Sequence, residues 1–260
     1  MDIFPSTIKR KLADGEIVVG LSTRMPRVDT ALIAKTCGFD WLFIDMEHGT
    51  FGVDSATQLS VAAISLGVTP IVRVPGYEHY HATRVLDNGA QGVIVPHVDT
   101  PEIAQRIAQN LRYPPIGHRS IASMQPVAHY KSLSMGEFTR QINAETLVVV
   151  MLESPKAITN ADAIARIDGI DVLLIGTNDL CAEMGLHGQF GHARVEEAYR
   201  EMVAACKKHG KVPGMAGVYD PKLMEKYIGI GARFVLGGSD LSFIMAGARE
   251  RLAFLRGVKR

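Results

Sequence analysis

Short apolar runs alternate with helix-like stretches from one end of the sequence to the other. A continuous aliphatic run of this kind is typical of a parallel strand that is buried on both faces. The strand candidates span residues 16–21, 41–45, 70–74, 92–95, 147–152, 172–175, 212–215 and 233–236. The helix candidates span residues 27–37, 54–66, 79–88, 100–111, 155–166, 192–209, 220–229 and 240–256.

Eight strand–helix units in a chain of 260 residues predict a single α/β domain over residues 1–260, folded as a (β/α)8 TIM barrel. An open doubly wound sheet is the competing architecture, but no Gly-x-Gly-x-x-Gly motif follows the first strand. The seventh strand is the weakest prediction, because Pro213 and Gly214 interrupt it. A long loop insert at about 113–135 breaks the rhythm, and such inserts usually form lids, binding loops or oligomer contacts.

The composition argues against several classes of function. A net charge of +1 gives no support for nucleic acid or an anionic membrane as the main partner. The beginning of the chain is charged and has no apolar core, and no uncharged run approaches the roughly 20 residues of a transmembrane helix. The cysteines, Cys37, Cys181 and Cys206, are widely spaced and form no CxxC pair, which indicates reduced thiols. We therefore expect a soluble cytoplasmic protein.

Two carboxylates follow consecutive strand candidates. Glu153 ends the fifth, and Asp179 lies just beyond the sixth. Consecutive parallel strands are usually neighbours, and the chemistry of parallel α/β proteins collects at their carboxyl ends. Two carboxylates with open positions for water suit a hard divalent ion such as Mg2+, Mn2+ or Co2+. The alternative is that each carboxylate caps the helix that follows it.

A second charged cluster follows the second and third strands, with Asp45, Glu47 and His48 on one and Arg73 on the other. A carboxylate that hydrogen-bonds one imidazole nitrogen makes the other nitrogen a better base near neutral pH. An arginine beside a metal ion is suited to stabilising a developing oxyanion. The alternatives are a surface loop histidine for His48 and an ion pair with Asp45 or Glu47 for Arg73, and the two roles of Arg73 are compatible.

Several segments, in the correct order over most of the chain, resemble the HpcH/HpaI aldolase family. The segment from Gly38 to His48 reads GFDWLFIDMEH and is the most distinctive of them. The others are PIVRVP from Pro70, LDNGAQGVIVP from Leu86, RYPPxGxR from Arg112, Leu152-Glu153, IGxxDL from Ile175 and GARFV from Gly231.

The resemblance implies a metal-dependent class II aldolase on a (β/α)8 barrel of the phosphoenolpyruvate/pyruvate-domain type. Such enzymes reversibly cleave 4-hydroxy-2-oxo acids to pyruvate, or a related 2-oxo acid, and an aldehyde through an enolate. The implied partners are therefore small molecules and, because the family forms homo-oligomers, other copies of the chain in a trimer or hexamer that exchanges its last helix.

The resemblance also implies roles for particular residues. Glu153 and Asp179 hold the divalent metal ion, and backbone amides near Gly176 receive the substrate carboxylate. Arg73 stabilises the enolate oxygen, and His48, oriented by Asp45, takes part in acid–base chemistry. Glu47 is a possible secondary member of the site. Asp87 matches a family position, and its role does not follow from the sequence.

The sequence departs from the family pattern in the expected pocket walls, so the aldehyde and the exact 2-oxo acid stay open. The departures are Met151 in place of Gln, Thr177-Asn178 in place of Pro-Ala, Ser120 in place of Gly, and His97 in place of Met. A Schiff-base mechanism is disfavoured, because no strand candidate ends in lysine. Two further alternatives are the same enolate chemistry with another electrophile, as in citrate-synthase-like or decarboxylating relatives, and a non-catalytic 2-oxo-acid-binding protein.

Overall fold

A computed structural model describes residues 3–258 and confirms the barrel. The strands are all parallel and close in chain order, β1 to β8, with β8 paired to β1. The open doubly wound alternative is therefore wrong. The strands are β1 Val18–Thr23, β2 Trp41–Asp45, β3 Thr69–Arg73, β4 Gly92–Val95, β5 Leu147–Leu152, β6 Val172–Gly176, β7 Val212–Ala216 and β8 Phe234–Ser239.

Helices follow the strands around the outside of the barrel. The predicted helix at 155–166 is divided at Asn160, and helices outside the predicted set occur before β1, before β5 and after β6. The helices are α1 Thr7–Ala13, α2 Asp29–Cys37, α3 Val53–Ser65, α4 His79–Asp87, α5 Pro101–Leu111, α6 Met135–Glu145, α7 Pro155–Thr159, α8 Ala161–Ala165, α9 Thr177–Glu183, α10 Ala193–His209, α11 Pro221–Ile230 and α12 Asp240–Gly257. None of the helices within residues 3–258 is long and apolar enough to cross a membrane.

The interior of the barrel is packed with side chains at the end where the strands begin. Trp41 stacks on Phe234 with 4.1 Å between ring centroids, and both side chains are fully buried. Gly20 makes room for Trp41, because a Cβ atom there would lie 2.2 Å from the indole ring. Ile8 and Leu12 of α1 pack into the same cluster. This filled end leaves the opposite end, where the strands finish, as the place for a site.

The seventh strand forms despite its proline and glycine. Pro213 has no N–H to donate, but its carbonyl oxygen accepts a hydrogen bond from the Arg233 N–H. At Gly214 an added Cβ would lie 2.8 Å from the Leu174 side chain, so the close approach of β6 and β7 favours glycine. The two residues that weakened the prediction therefore suit the position that they occupy.

Candidate active site

A cavity of about 350 Å³ opens at the carboxyl ends of the strands. It is lined by side chains and backbone from several strands and from the loops that follow them. The sequence-predicted residues in its wall are Asp45, His48, Arg73, Glu153, Gly176 and Asp179. The residues expected to form the site thus lie together, although they span more than half of the chain.

Arg73 is held between two carboxylates on the β2 side of the cavity. Its Nε and Nη2 atoms donate to Asp45 Oδ1 and Oδ2 at 3.0 and 2.7 Å, and its Nη1 lies 3.0 Å from Glu47 Oε2. Burial alone would raise the pKa of Asp45, but Arg73 and two main-chain N–H groups outweigh it and hold that pKa below its usual value. The guanidinium is thus fixed in orientation with Asp45 ionised beside it.

His48 is held differently from the sequence expectation. Asp45 Oδ1 accepts hydrogen bonds from the main-chain N–H groups of Glu47 and His48, at 3.1 and 3.2 Å. It is the Glu47 carboxylate, 3.8 Å from His48 Nε2, that lies near the imidazole ring. The His48 side chain is 56% exposed. Asp45 therefore positions the His48 backbone, and the ring itself is open to solvent and to a ligand.

Glu153 is a buried carboxylate at the end of β5, with a relative exposure of 2%. Its Oε2 atom accepts the His97 main-chain N–H at 2.8 Å, and the His97 ring nitrogen Nδ1 lies 3.5 Å away. Burial, together with the smaller effects of the Asp179 and Glu47 charges, raises the pKa of Glu153 to about 7, although the nearby His97 N–H and imidazole act to lower it. A carboxylate so placed is stabilised by a cation in the cavity.

Gly176 permits this arrangement. A Cβ atom at Gly176 would lie 2.4 Å from Glu153 Oε1, so any larger residue would displace the carboxylate. Asp179 lies three residues after Gly176, in the first turn of α9, and is partly exposed. Thr177 between them is fully buried, and its hydroxyl donates to the Ala216 carbonyl oxygen at 2.7 Å. The departure from the family pattern at Thr177 thus bonds α9 to β7.

The helix-capping alternative for the two carboxylates is not what the structure has. Ser154 caps α7, where its hydroxyl accepts the Ala157 N–H at 3.0 Å. Gly176 is the N-cap residue of α9, and no side-chain cap bond is found there within the described chain. Glu153 and Asp179 therefore retain carboxylate oxygens for a ligand.

The donor set fits a hard divalent ion. Glu153 and Asp179 follow the adjacent strands β5 and β6, their charges interact, and Glu153 has no lysine or arginine partner among residues 3–258. No group of three or more His, Cys, Asp or Glu side chains suited to a metal ion is found over the same range. A metal ion here would have two protein carboxylates, and substrate oxygens or water would complete its coordination.

Asp87 lies outside the cavity wall. Its Oδ1 atom accepts Arg119 Nη2 at 2.5 Å and Gln125 Nε2 at 2.9 Å. The Arg119 guanidinium also lies over the Tyr113 ring, 4.7 Å from its centroid. Asp87 thus connects the end of α4 to the loop between α5 and α6, and this contact gives it a structural role in the folded chain.

The sequence analysis missed Arg24, which also lines the cavity. The first strand candidate was ended at Leu21, whereas β1 continues to Thr23. Arg24 is therefore the first residue after a strand, which is the same position that singled out the other charged residues. The sequence therefore contains the signal, a charged residue directly after a strand, but ending the strand candidate at Leu21 concealed it.

Comparison with known proteins finds similar proteins over nearly the whole chain. The sequence profile of the HpcH/HpaI aldolase/citrate lyase family matches residues 25–246. A 4-hydroxy-4-methyl-2-oxoglutarate aldolase of Hapsidospora irregularis is 35% identical in an alignment 259 residues long, which covers 96% of this chain and 94% of the relative. A 5-keto-4-deoxy-D-glucarate aldolase of Salmonella arizonae is 32% identical in an alignment 250 residues long, which covers 95% of this chain and 96% of the relative.

A solved structure agrees with these sequence matches. The crystal structure of an HpcH/HpaI aldolase from Desulfitobacterium hafniense superimposes with a TM-score of 0.92 at 27% identity, over 99% of this chain and 98% of that one. The sequence similarity and the fold similarity therefore extend over nearly the same full length.

Proposed function

This chain belongs to the HpcH/HpaI aldolase/citrate lyase family and is a carbon–carbon lyase, and we propose that it is a metal-dependent aldolase acting on 4-hydroxy-2-oxo acids. The products are pyruvate, or a related 2-oxo acid, and a carbonyl compound. The observation that carries the proposal is the buried Glu153 carboxylate, which has no lysine or arginine partner among residues 3–258 and shares one cavity with Asp179 and Arg73. The names of both relatives describe diacid substrates, so a diacid is the first substrate to test.

The metal ion is the part of this proposal that the chain itself must accommodate. Glu153 and Asp179 are the residues that would hold it, and when bound it supplies a Lewis acid next to the keto oxygen of the substrate. In this proposal the substrate carboxylate binds main-chain N–H groups at the start of α9, after Gly176. The first N–H groups of a helix have no partner within the helix, which supports this role.

His48 and Arg73 have separate roles in the remaining steps, proton transfer and stabilisation of negative charge. In the cleavage direction the 4-hydroxyl group loses its proton to a base, for which His48 is placed at the cavity wall. The C3–C4 bond breaks, its electron pair forms the C2–C3 double bond, and negative charge moves to the C2 oxygen. Arg73, held by Asp45 and Glu47, stabilises that charge with no reorganisation. Protonation at C3 completes the methyl group of pyruvate.

Methyl-proton exchange of pyruvate tests the proposal. In deuterated buffer, NMR should show metal-dependent loss of the pyruvate methyl signal, and a chelator should stop it. Release of pyruvate from 4-hydroxy-4-methyl-2-oxoglutarate should require the same metal. Binding of pyruvate and metal without exchange would support the non-catalytic alternative, and condensation of oxaloacetate with an acyl-CoA would support the citrate-synthase-like one.

We also propose that the protein is a homo-oligomer, a trimer or a hexamer. Helix α12 leaves the barrel with almost all of its residues exposed. Its exposed large apolar side chains are Leu241, Phe243, Ile244, Met245, Leu252, Phe254 and Leu255. An apolar surface of this kind is usually covered by another chain, and the helix is well placed to lie on a second copy. The cytoplasmic location stays a prediction from the sequence.

A further inference from the structure

Arg24 is a cation in the cavity wall that the proposed aldol chemistry leaves without a role. It follows β1 and is exposed, and its Nη2 atom donates to the His48 carbonyl oxygen at 2.8 Å. A guanidinium group has five N–H donors in a planar fork, so one bond to a carbonyl oxygen leaves most of them free. The contact places the charge beside His48.

The backbone of Arg24 is held in place by the buried carboxylate of Asp240. Asp240, which is 8% exposed, accepts the main-chain N–H groups of Arg24 and Met25 at 3.0 and 3.1 Å through Oδ2. The same oxygen accepts the Thr23 hydroxyl at 3.0 Å. The first residue of α12 thus holds the loop after β1, and Arg24 starts from an anchored backbone rather than from a mobile loop.

The charge of Arg24 is also uncompensated. Arg73 is paired with Asp45 and Glu47, and His48 has Glu47 3.8 Å away. Among the basic side chains that line the cavity within residues 3–258, Arg24 is the one with no carboxylate inside ion-pair distance. An arginine in that state, at the wall of a ligand cavity, is suited to binding an anion.

The position of Arg24 separates it from the metal end of the cavity. Glu153 and Asp179 follow β5 and β6, and in a closed barrel of eight strands β1 is diametrically opposite β5. A 2-oxo acid held near Glu153 and Gly176 has its own carboxylate at that end. In the mechanism proposed above His48 takes the proton of the 4-hydroxyl group, which puts the carbonyl compound towards His48 and therefore next to Arg24.

We propose that Arg24 binds the carboxylate of the carbonyl component, so that the aldehyde or ketone this enzyme uses is itself an anionic oxo acid. The inference rests on the proposed aldolase function and adds the residue that selects diacid substrates, the class named for the relatives. The guanidinium binds a carboxylate attached at or near the reacting carbonyl carbon, while His48 exchanges a proton with the carbonyl oxygen. The full substrate is accordingly a 4-hydroxy-2-oxo diacid.

A matched pair of acceptors tests this assignment. Glyoxylate and glycolaldehyde are two-carbon aldehydes of similar size, and only glyoxylate carries a carboxylate. With pyruvate as donor and metal present, kcat/KM for each acceptor is measured in wild type, Arg24→Gln, Arg24→Lys and Arg27→Gln. The control, Arg27, is exposed in the same loop and paired with Asp29. Comparing variants with each acceptor cancels differences in hydration between the two aldehydes.

Arg24→Gln should lower kcat/KM for glyoxylate by about ten- to a hundred-fold, the usual effect of losing a charge-assisted hydrogen bond. Its effect on glycolaldehyde should be less than about three-fold, by the non-additive scatter expected of an uninvolved residue. Arg24→Lys should recover part of the loss through KM, and Arg27→Gln should match wild type. In the metal-dependent exchange of the pyruvate methyl protons, Arg24→Gln should have the same KM for pyruvate as wild type.

Three results would overturn the assignment while leaving the proposed function intact. Equal losses with both acceptors mean that Arg24 acts by positioning the His48 loop, and a raised KM for pyruvate in the exchange reaction means that it binds the donor. No selective loss with glyoxylate likewise excludes the carboxylate contact. Absence of metal-dependent exchange in wild type is a separate failure, which overturns the proposed function together with this inference.

Discussion

At the scale of single residues, Glu153 shows how the site is maintained at the expense of stability. In the metal-free protein the pKa of Glu153 is raised to about 7 from an ordinary value of 4.5. The folded protein therefore binds the proton more tightly than the unfolded chain does, and stability falls as pH rises from about 4.5 to about 7. Above that window the full penalty of the buried charge is present.

Glu153→Gln should therefore abolish metal-dependent turnover and raise the stability of the metal-free protein. At pH 8 we expect a gain in the free energy of unfolding of about 2 kcal/mol, because the neutral amide has no charge to desolvate. Urea unfolding with a chelator at pH 5 and pH 8 measures it, and the difference between variant and wild type should shrink at pH 5. A variant that is active, or less stable than wild type at pH 8, would contradict the assignment.

Arg73 tests the stabilisation of negative charge during the reaction. Arg73→Ala should reduce kcat by roughly 10²–10³-fold, or about 3–4 kcal/mol, as when one oxyanion donor is lost. The substitution also leaves the buried Asp45 and the partly buried Glu47 without their cation, so thermal unfolding must be measured alongside activity. Arg73→Lys keeps the positive charge but loses the paired N–H donors of the guanidinium group. It should therefore have nearly wild-type stability but reduced activity. Unimpaired exchange of the pyruvate methyl protons in Arg73→Ala would remove Arg73 from the chemistry.

At the scale of elements, the junction between β6 and α9 shows why glycine is needed next to a carboxylate. Gly176→Ala places a Cβ atom 2.4 Å from Glu153 Oε1, closer than real contacts allow. Gly176 belongs to the backbone of β6, which cannot easily shift, so the Glu153 side chain must move instead. Metal affinity, measured by calorimetry, should therefore fall by at least ten-fold. Gly136→Ala is the matched control, since an added Cβ there meets nothing within 4 Å in α6. Equal metal affinity in both variants would show that Glu153 is not a ligand.

The elements also show what the sequence could predict. The strands follow from aliphatic runs, so β4 and β5 were predicted at their observed bounds, 92–95 and 147–152. The short helices α1 and α9 were missed because seven residues give little periodicity and their stability comes from contacts such as Ile8 inside the barrel. Similarly, Arg24 was missed through a boundary error of two residues in β1. The sequence could not show that Glu47, rather than Asp45, lies near the His48 ring. That depends on the folded structure, in which Arg73 donates hydrogen bonds to the Asp45 carboxylate.

At the scale of the whole molecule, the last helix connects the candidate active site to the surface proposed to hold the oligomer together. Asp240 at the start of α12 holds the loop of Arg24, and the remainder of α12 projects exposed apolar side chains. Replacing Phe254 and Leu255 by Glu should prevent another chain from covering this helix, because the charges would be buried unpaired. Sedimentation should give wild type as a multiple of the 28.3 kDa chain and the variant as a smaller species. Lys222→Glu, an exposed change on α11, should keep the wild-type mass. A monomeric wild type, or an unchanged mass in the double variant, would show that α12 does not hold an oligomer together.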